Sequence, residues 1–174
     1  MKQTFSLWQA AEFGMTTLGG TLLHFLYDWT GGALPVSPFS GVNESTWEHM
    51  KLLFWPLAAV AILQRLFFRD QKINWCVKLA GILLGLGLIP VLFYTYNGAF
   101  GRSPDWVNIA IFYLSAASVF LFEGWALRRL PCRYPRLAFA AICLIGALFV
   151  AFTFAPPQLP LFQDPITGAY GIPR

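Results

Sequence analysis

His24 and Asp28 stand one helical turn apart inside the first apolar segment of this chain. Residues four apart share one face of a helix, so the Asp28 carboxylate can orient the imidazole and select the ring nitrogen that carries its proton. Such a pair is typical of a general base with its orienting acid, or of a metal ligand with its hydrogen-bond partner. It is equally typical of two buried groups that satisfy each other. The spacing therefore predicts either acid–base chemistry or a structural pair.

The densest polar run comes just before the second apolar segment. Glu44, Glu48 and Lys51 follow one stripe at helical spacing, whereas His49 points about 100° away from Glu48. Either glutamate suits the role of the acid opposite the histidine of the first segment. Ser45 and Glu48 also match a capping box, in which each side chain satisfies the free backbone N–H of the other residue. That alternative accounts for Glu48 but leaves Glu44, His49 and Lys51 as candidate site residues.

Other polar side chains gather at the same predicted end of the molecule. Arg102 can hold a phosphate or a carboxylate with two parallel hydrogen bonds. The alternatives are that the tyrosines anchor the chain at the membrane interface and that Arg102 lies in a solvated loop. The nitrogen and oxygen donors would also suit zinc, but no HExxH or comparable spacing is present. We therefore predict no metal and no other cofactor, with zinc as the alternative. The predicted ligand-binding residues are His49, Lys51, Tyr94, Tyr96, Asn97, Arg102 and Asp105.

Five long apolar segments must position these side chains. The 174 residues are 57% apolar and 11% charged, against about 25% charged in ordinary soluble domains. This composition excludes a disordered chain, a nucleic-acid-binding module and a conventional soluble enzyme. A bilayer core needs about 20 mostly apolar residues for each helix. The sequence therefore predicts an all-α polytopic membrane protein with five transmembrane helices, at residues 11–29, 47–68, 75–100, 105–127 and 137–154, of which the first is the least apolar.

The loops between these segments alternate in charge. One side carries most of the basic residues, so the positive-inside rule predicts the N-terminus in the cytoplasm and the C-terminus outside. The protein would then lie in the bacterial cytoplasmic membrane with its polar pocket on the extracytoplasmic side. The predicted cytoplasmic side holds Lys2, Arg65, Arg69, Lys72, Lys78, Arg128, Arg129, Arg133 and Arg136, and the other side holds Lys51, Arg102 and Arg174.

The three cysteines are predicted to be free thiols. No CxxC motif is present, and an odd number leaves at least one thiol without a partner inside the chain. In the predicted orientation, Cys76 and Cys132 lie near the reducing side of the membrane and Cys143 lies within the bilayer.

Two patterns inside the apolar segments concern helix packing. Gly81 and Gly85 form a GxxxG pattern, which permits close helix approach inside one bundle or across a dimer face. Glu123 lies deep in the fourth segment, where an acid is costly unless it has a partner or a function. It would pair with an arginine near the inner end, or mark a proton site.

The end of the chain differs from the membrane domain at residues 1–154. Repeated prolines prevent the last helix from continuing, yet apolar residues such as Leu159 and Phe162 persist. A purely disordered tail would not need them. We therefore predict that residues 155–174 fold back as an ordered lid over the outer face.

Four motifs lie along the chain: Tyr27-Asp28-Trp29, Asn43-Glu44-Ser45-x-Trp47-Glu48-His49-x-Lys51-Leu52-x-Phe54-x-Pro56, Tyr94-x-Tyr96-x-Gly98 and Pro157-x-Leu159-Pro160-Leu161-Phe162-Gln163-Asp164-Pro165. With these motifs the chain resembles a bacterial family of small multi-pass membrane proteins of unknown function. The resemblance covers nearly the whole chain, and it implies the membrane domain without implying an activity. A more limited similarity to five-helix sterol-isomerase-like membrane proteins rests on the His-x-x-x-acid pair on a helix.

These patterns predict an integral membrane protein whose polar pocket binds or acts on a lipid-like or amphipathic small molecule. If the protein is an enzyme, His24 is the base, Asp28 orients it, and Glu44 or Glu48 is the acid of an isomerase-like or hydrolase-like reaction. A small transporter or ion-coupled channel, and a structural membrane subunit, are the alternatives. The expected partners are membrane lipids and not nucleic acid. The oligomeric state is open.

Overall fold

The computed structural model describes residues 2–67 and 73–173, with side chains from residue 7 onward. Within these residues the secondary structure is helical, apart from one isolated β-bridge, so the all-α prediction is confirmed. The helices are α1 (Lys2–Trp29), α2 (Thr46–Phe67), α3 (Trp75–Phe100), α4 (Asp105–Ala126) and α5 (Pro135–Phe154), followed by a 3₁₀ turn at Pro160–Phe162.

Four helices, α2 to α5, are long and apolar enough to cross a membrane. α1 has 28 residues but does not reach the same hydropathy, so the prediction of five spans is supported for four helices. Polar residues lower the mean hydropathy of α1, and some of them face the interior of the bundle. Glu12 and Thr16 are buried inside the molecule, whereas Leu18, Leu22 and Phe25 are exposed. Glu12 and Thr16, two of the polar residues that lower the hydropathy of α1, therefore lie inside the bundle, whereas Asp28 is exposed.

Part of the predicted loop charge lies outside the described residues. This applies to Arg69, Lys72 and Arg174, and to the predicted end of the second span at Phe68. The end of the bundle where α1 ends and α2 begins carries both histidines, and we call it the histidine end. The opposite end, where α3 begins and α4 ends, is called the basic end.

The most extensive helix contact in the bundle is between α3 and α4, and two glycines of α3 lie within it. A Cβ atom added at Gly85 would lie 2.6 Å from Cγ2 of Val119, and one added at Gly81 would lie 3.2 Å from the Glu123 side chain. A side chain at Gly85 would force Val119 to shift, and one at Gly81 would be tightly packed, so glycine permits this close approach. The GxxxG pattern therefore serves packing inside one bundle.

The prediction of three free cysteines is wrong for two of them. Cys76 and Cys132 form a disulfide, while Cys143 is free and exposed. The fold brings the start of α3 against the loop after α4, where the Asn74 side chain donates a hydrogen bond to the Leu130 carbonyl over 2.8 Å. The two cysteine Cα atoms are consequently 5.3 Å apart, which suits a disulfide. Because disulfides are rare in the cytoplasm, this bond and the positive-inside rule favour opposite orientations of the bundle.

Thiol counting tests the disulfide directly. In the denatured, unreduced protein, we expect a maleimide reagent to label one thiol, Cys143, and to label three after reduction. A Cys76→Ser variant should release Cys132 and give two labelled thiols without reduction, as measured by intact mass. Three labelled thiols in the unreduced wild type would show that the disulfide is absent.

The segment after α5 is ordered and packs back on the bundle. The Phe162 side chain is buried, and its ring centroid lies 4.6 Å from that of Trp47 and 5.5 Å from that of Phe152. Near the end of the chain, the Asn43 side chain donates a hydrogen bond to the Gly171 carbonyl over 2.8 Å. The tail thus holds the loop that precedes α2. Its action as a lid stays a prediction.

Candidate functional site

The connection between α1 and α2 is attached to the last turns of α1. The Ser40 hydroxyl accepts a hydrogen bond from the Tyr27 N–H and donates one to the Leu23 carbonyl. The Gly41 N–H adds a second bond to the same carbonyl, at 3.3 Å. The Tyr27 N–H and the Leu23 carbonyl are i, i+4 partners in α1, so the Ser40 hydroxyl bridges two groups of the helix backbone. The chain is thereby directed back past His24 before α2 begins.

Glu44 lies between the two histidines. Its Oε1 is 3.8 Å from Nε2 of His24, and its Oε2 is 3.5 Å from Nε2 of His49. The two imidazole rings are 5.8 Å apart between centroids. We call these three side chains the His–Glu–His cluster. Both separations exceed an ordinary hydrogen bond, so the carboxylate retains capacity to accept hydrogen bonds from a bound molecule.

The fold determines which nitrogen of His49 is available. Nδ1 lies 3.0 Å from the Ser45 carbonyl oxygen, which only accepts hydrogen bonds. In the neutral ring the proton is therefore on Nδ1, and Nε2 turns its lone pair toward Glu44. This arrangement lets His49 take up a proton at Nε2 beside the carboxylate.

The cluster is partly open to its surroundings. The side chains of His24, Glu44 and His49 are 32%, 42% and 21% exposed. His49 also lines a small pocket of about 20 Å³ together with Thr46 and Asn108 and the apolar side chains of α3 and α4. That volume suits one water molecule. The cluster thus adjoins both the outside and a small internal cavity.

Asp28 does not orient His24 in this structure. Asp28 is exposed, and within the described part of the chain its carboxylate makes no hydrogen bond or ion pair. The i, i+4 spacing permits the pairing, but Glu44 takes the place beside the imidazole because the loop after α1 returns to it. The acid that accompanies His24 therefore comes from the loop and not from its own helix.

Glu48 is committed to Lys51 and does not reach the cluster. Lys51 Nζ lies 2.6 Å from Glu48 Oε2, and both side chains are buried. Glu48 also accepts a hydrogen bond from the Val42 N–H over 3.0 Å, while Lys51 donates to the Ser37 carbonyl and the Thr153 hydroxyl. Glu48 Oε2 thus has two partners and Lys51 Nζ has three, all of them inside the protein.

Half of the predicted capping box is present. The Glu48 N–H donates to the Ser45 hydroxyl over 3.4 Å, but the Glu48 carboxylate does not return the bond to Ser45. The Ser45 N–H is instead satisfied by the Asn43 side chain at 2.8 Å. The carboxylate is consequently free to bind Lys51.

The remaining predicted ligand-binding residues make no contact with the His–Glu–His cluster within the described residues. Asn97 closes the α3–α4 turn, because its side chain accepts from the Ser103 N–H over 2.8 Å. Ser103 then donates to Asn108, which lines the small pocket beside His49. Tyr94, Arg102 and Asp105 are exposed, and Tyr96 packs on Phe100.

Another group of charged side chains, which the sequence indicated only in part, lies toward the basic end. Lys78 Nζ is 2.7 Å from Oε2 of Glu123 and 3.3 Å from Oε1 of Glu12, and all three residues are buried. We call them the Glu–Lys–Glu trio. The available signal was that each stands inside an apolar segment, where a charge needs a partner. The sequence predicted that Glu123 would pair with an arginine or mark a proton site. Its partner in the structure is Lys78 and not an arginine.

A large apolar groove lies between α1 and α2. It encloses about 690 Å³ and is lined by apolar and aromatic side chains, with Gly19 against Pro56 and with Trp29 on its wall. His24 does not line it, because Leu22 and Leu26 of the groove are each two residues away, about 200° around the helix. The groove and the cluster therefore lie on opposite sides of α1.

Metal binding gains no support from the geometry. Across residues 2–67 and 73–173, no group of three or more His, Cys, Asp and Glu side chains is arranged to hold a metal ion. The zinc alternative thus has no candidate ligand set among these residues.

Within the described residues the protein is helical, has four helices long and apolar enough to cross a membrane, and carries these three ionic groups. The chain belongs to a family of unknown function, DUF6512, whose profile matches residues 2–172. The resemblance to a family without known activity is confirmed at that level. No curated protein and no solved structure matches the chain.

Proposed function

We propose that this protein is a five-helix integral membrane protein that binds an amphipathic small molecule through His24, Glu44 and His49. In this proposal it resides in the bacterial cytoplasmic membrane, with the histidine end on the extracytoplasmic side. The inward-facing Glu12 of α1 and the outward-facing apolar side chains of this helix support α1 as the fifth span. The distribution of basic residues supports this orientation, whereas the Cys76–Cys132 disulfide at the basic end favours the opposite one.

The observation that carries the proposal is that the His–Glu–His cluster is partly exposed while the other ionic groups are buried. The Glu48–Lys51 pair and the Glu–Lys–Glu trio are buried, and in each of them a lysine contacts a glutamate directly. The cluster instead joins three side chains at separations too long for mutual hydrogen bonds. Such a group offers two ring nitrogens and one carboxylate to the polar end of a ligand.

An apolar route leads from the cluster around α1 to the groove. The His24 ring meets the edge of Phe25 at 4.9 Å, and Phe25 stacks on Trp29 at 5.8 Å. Both aromatic side chains are exposed, and Trp29 forms part of the groove wall. We therefore place the polar end of the ligand at the cluster and its apolar part over this aromatic pair toward the groove.

A reaction at this site would be acid–base chemistry. The Ser45 carbonyl holds Nδ1 of His49, so Nε2 can accept a proton while Glu44 stabilises the resulting cation. His24 faces the other carboxylate oxygen and can act in the same way. Asp28 and Glu48, also expected in this role from the sequence, would act only after leaving the positions described above.

Transport through the bundle is the second candidate, and the packing below the cluster disfavours it. A Cβ atom added at Gly20, one turn below His24, would lie 2.5 Å from the Phe112 ring and 2.8 Å from the Leu52 carbonyl oxygen. The space between the cluster and the trio is therefore filled by apolar side chains in this conformation.

Native mass spectrometry of the full-length protein, released gently from membranes, tests the proposal. We expect the wild type to retain a lipid-sized mass. Glu44→Gln and His49→Gln should weaken retention about 10- to 100-fold, because hydrogen bonds to charged groups contribute about 1.5–3 kcal/mol. Asp28→Asn is the matched control, since it removes a nearby carboxylate outside the cluster. A bare wild type, or equal retention by folded cluster variants, would contradict the proposal.

A further inference from the structure

The Glu–Lys–Glu trio holds more negative than positive charge. Glu12, Lys78 and Glu123 come from α1, α3 and α4, and the three would carry a net charge of −1 with every group ionised. Each is buried, with at most 5% of its residue surface exposed. An uncompensated charge in such surroundings is costly, and proteins usually neutralise the group instead. One positive charge is therefore needed to balance the site.

The geometry selects a proton as that charge. The Lys78 ammonium already occupies the position between the two carboxylates, at 2.7 and 3.3 Å, where a metal ion would bind. On the α3 side, Gly81 lies so close that an added Cβ atom would be 3.2 Å from Glu123 Oε1. A proton shared with a carboxylate adds no volume, so it fits where a metal ion does not.

A buried hydroxyl without a partner adjoins this site. Thr16 lies one turn after Glu12 on the same face of α1, and its Oγ1 has no hydrogen-bond partner within the described residues. A hydroxyl can donate to a carboxylate or accept from a carboxylic acid. Thr16 can thus serve either protonation state of Glu12.

We propose that Glu12, Lys78 and Glu123 form a proton-binding site that holds one exchangeable proton on one of the two carboxyl groups. Lys78 is in the first turn of α3 and Glu123 in the last turn of α4, so the proton exchanges with the basic end. The other buried charged residues in the described part of the chain, Glu48, Lys51 and Asp164, lie toward the histidine end or in the tail. This site is independent of ligand binding at the cluster.

Infrared spectroscopy of the full-length protein with isotope-labelled glutamate tests the proposal. At neutral pH we expect the carbonyl stretch of one protonated glutamic acid per chain, which disappears as the pH rises. Glu123→Gln should abolish the signal, because Glu12 and Lys78 then balance each other. Asp28→Asn, which removes an exposed carboxylate elsewhere, should leave it unchanged.

A Lys78→Met variant separates proton binding from a purely structural ion pair. Without the ammonium, both carboxyl groups must be neutralised, and the signal should double to two protonated acids per chain. No protonated glutamic acid in the wild type would overturn the proposal, and so would a signal that survives in both Glu12→Gln and Glu123→Gln. The wild-type measurement decides the matter even where a variant fails to fold.

Discussion

Replacing Lys51 with methionine is expected to destabilise the protein by about 3–5 kcal/mol, the usual cost of removing one partner of a buried ion pair. Lys51 is fully buried and lies 2.6 Å from Glu48, so the variant leaves a carboxylate without its cation. The Ser37 carbonyl and the Thr153 hydroxyl lose their donor as well. The free energy of unfolding in mixed detergent micelles measures the effect.

The double variant Lys51→Met with Glu48→Gln is the matched control. It removes both charges, and a glutamine oxygen can still accept the Val42 N–H. We expect it to recover most of the lost stability, since replacing a buried pair by neutral groups is often close to neutral. A single variant within about 1 kcal/mol of the wild type would show that the pair is not sealed as described.

Gly20→Ala is expected to cost about 1–3 kcal/mol through overpacking. The added methyl group would lie 2.8 Å from the Leu52 carbonyl oxygen and 2.5 Å from the Phe112 ring. The ring can shift, but the carbonyl belongs to the backbone of α2, so α1 must move away from its neighbour. Because α1 carries His24, the same shift should also weaken ligand retention at the cluster.

Gly14 offers the control within the same helix. No atom lies within 4 Å of a Cβ added there, so Gly14→Ala should be neutral or stabilise α1 by up to about 1 kcal/mol. Equal effects of the two substitutions on unfolding would mean that α1 does not pack on α2 and α4 at Gly20. The comparison thus tests the position of the helix that hydropathy alone supports least.

The helices were predictable because hydropathy is a local property. The third segment was predicted at residues 75–100 and α3 occupies Trp75–Phe100, while α2 begins and α4 ends within one residue of the predicted positions. α1 begins at Lys2 and not near residue 11. A helix can continue beyond an apolar stretch, and hydropathy does not detect that part.

The sequence indicated which residues form the candidate site, but it did not indicate which of them pair with each other. Both histidines and Glu44 were identified, but His24 was paired with Asp28 because four-residue spacing is visible in a sequence. The loop attachment through Ser40 brings Glu44 to His24 instead. Tyr94, Arg102 and Asp105 were included because they lie at the same predicted end, and a shared end does not imply contact.

The sequence by itself determined an all-helical, membrane-type chain with its histidines at one end, since hydropathy and segment length act locally. Tertiary structure decided which charges meet. Lys78 joins partners 66 positions before it and 45 positions after it, and Cys76 meets Cys132 across 56 positions. A buried charge must find an opposite charge wherever the fold supplies one, and helix packing alone determines where that is.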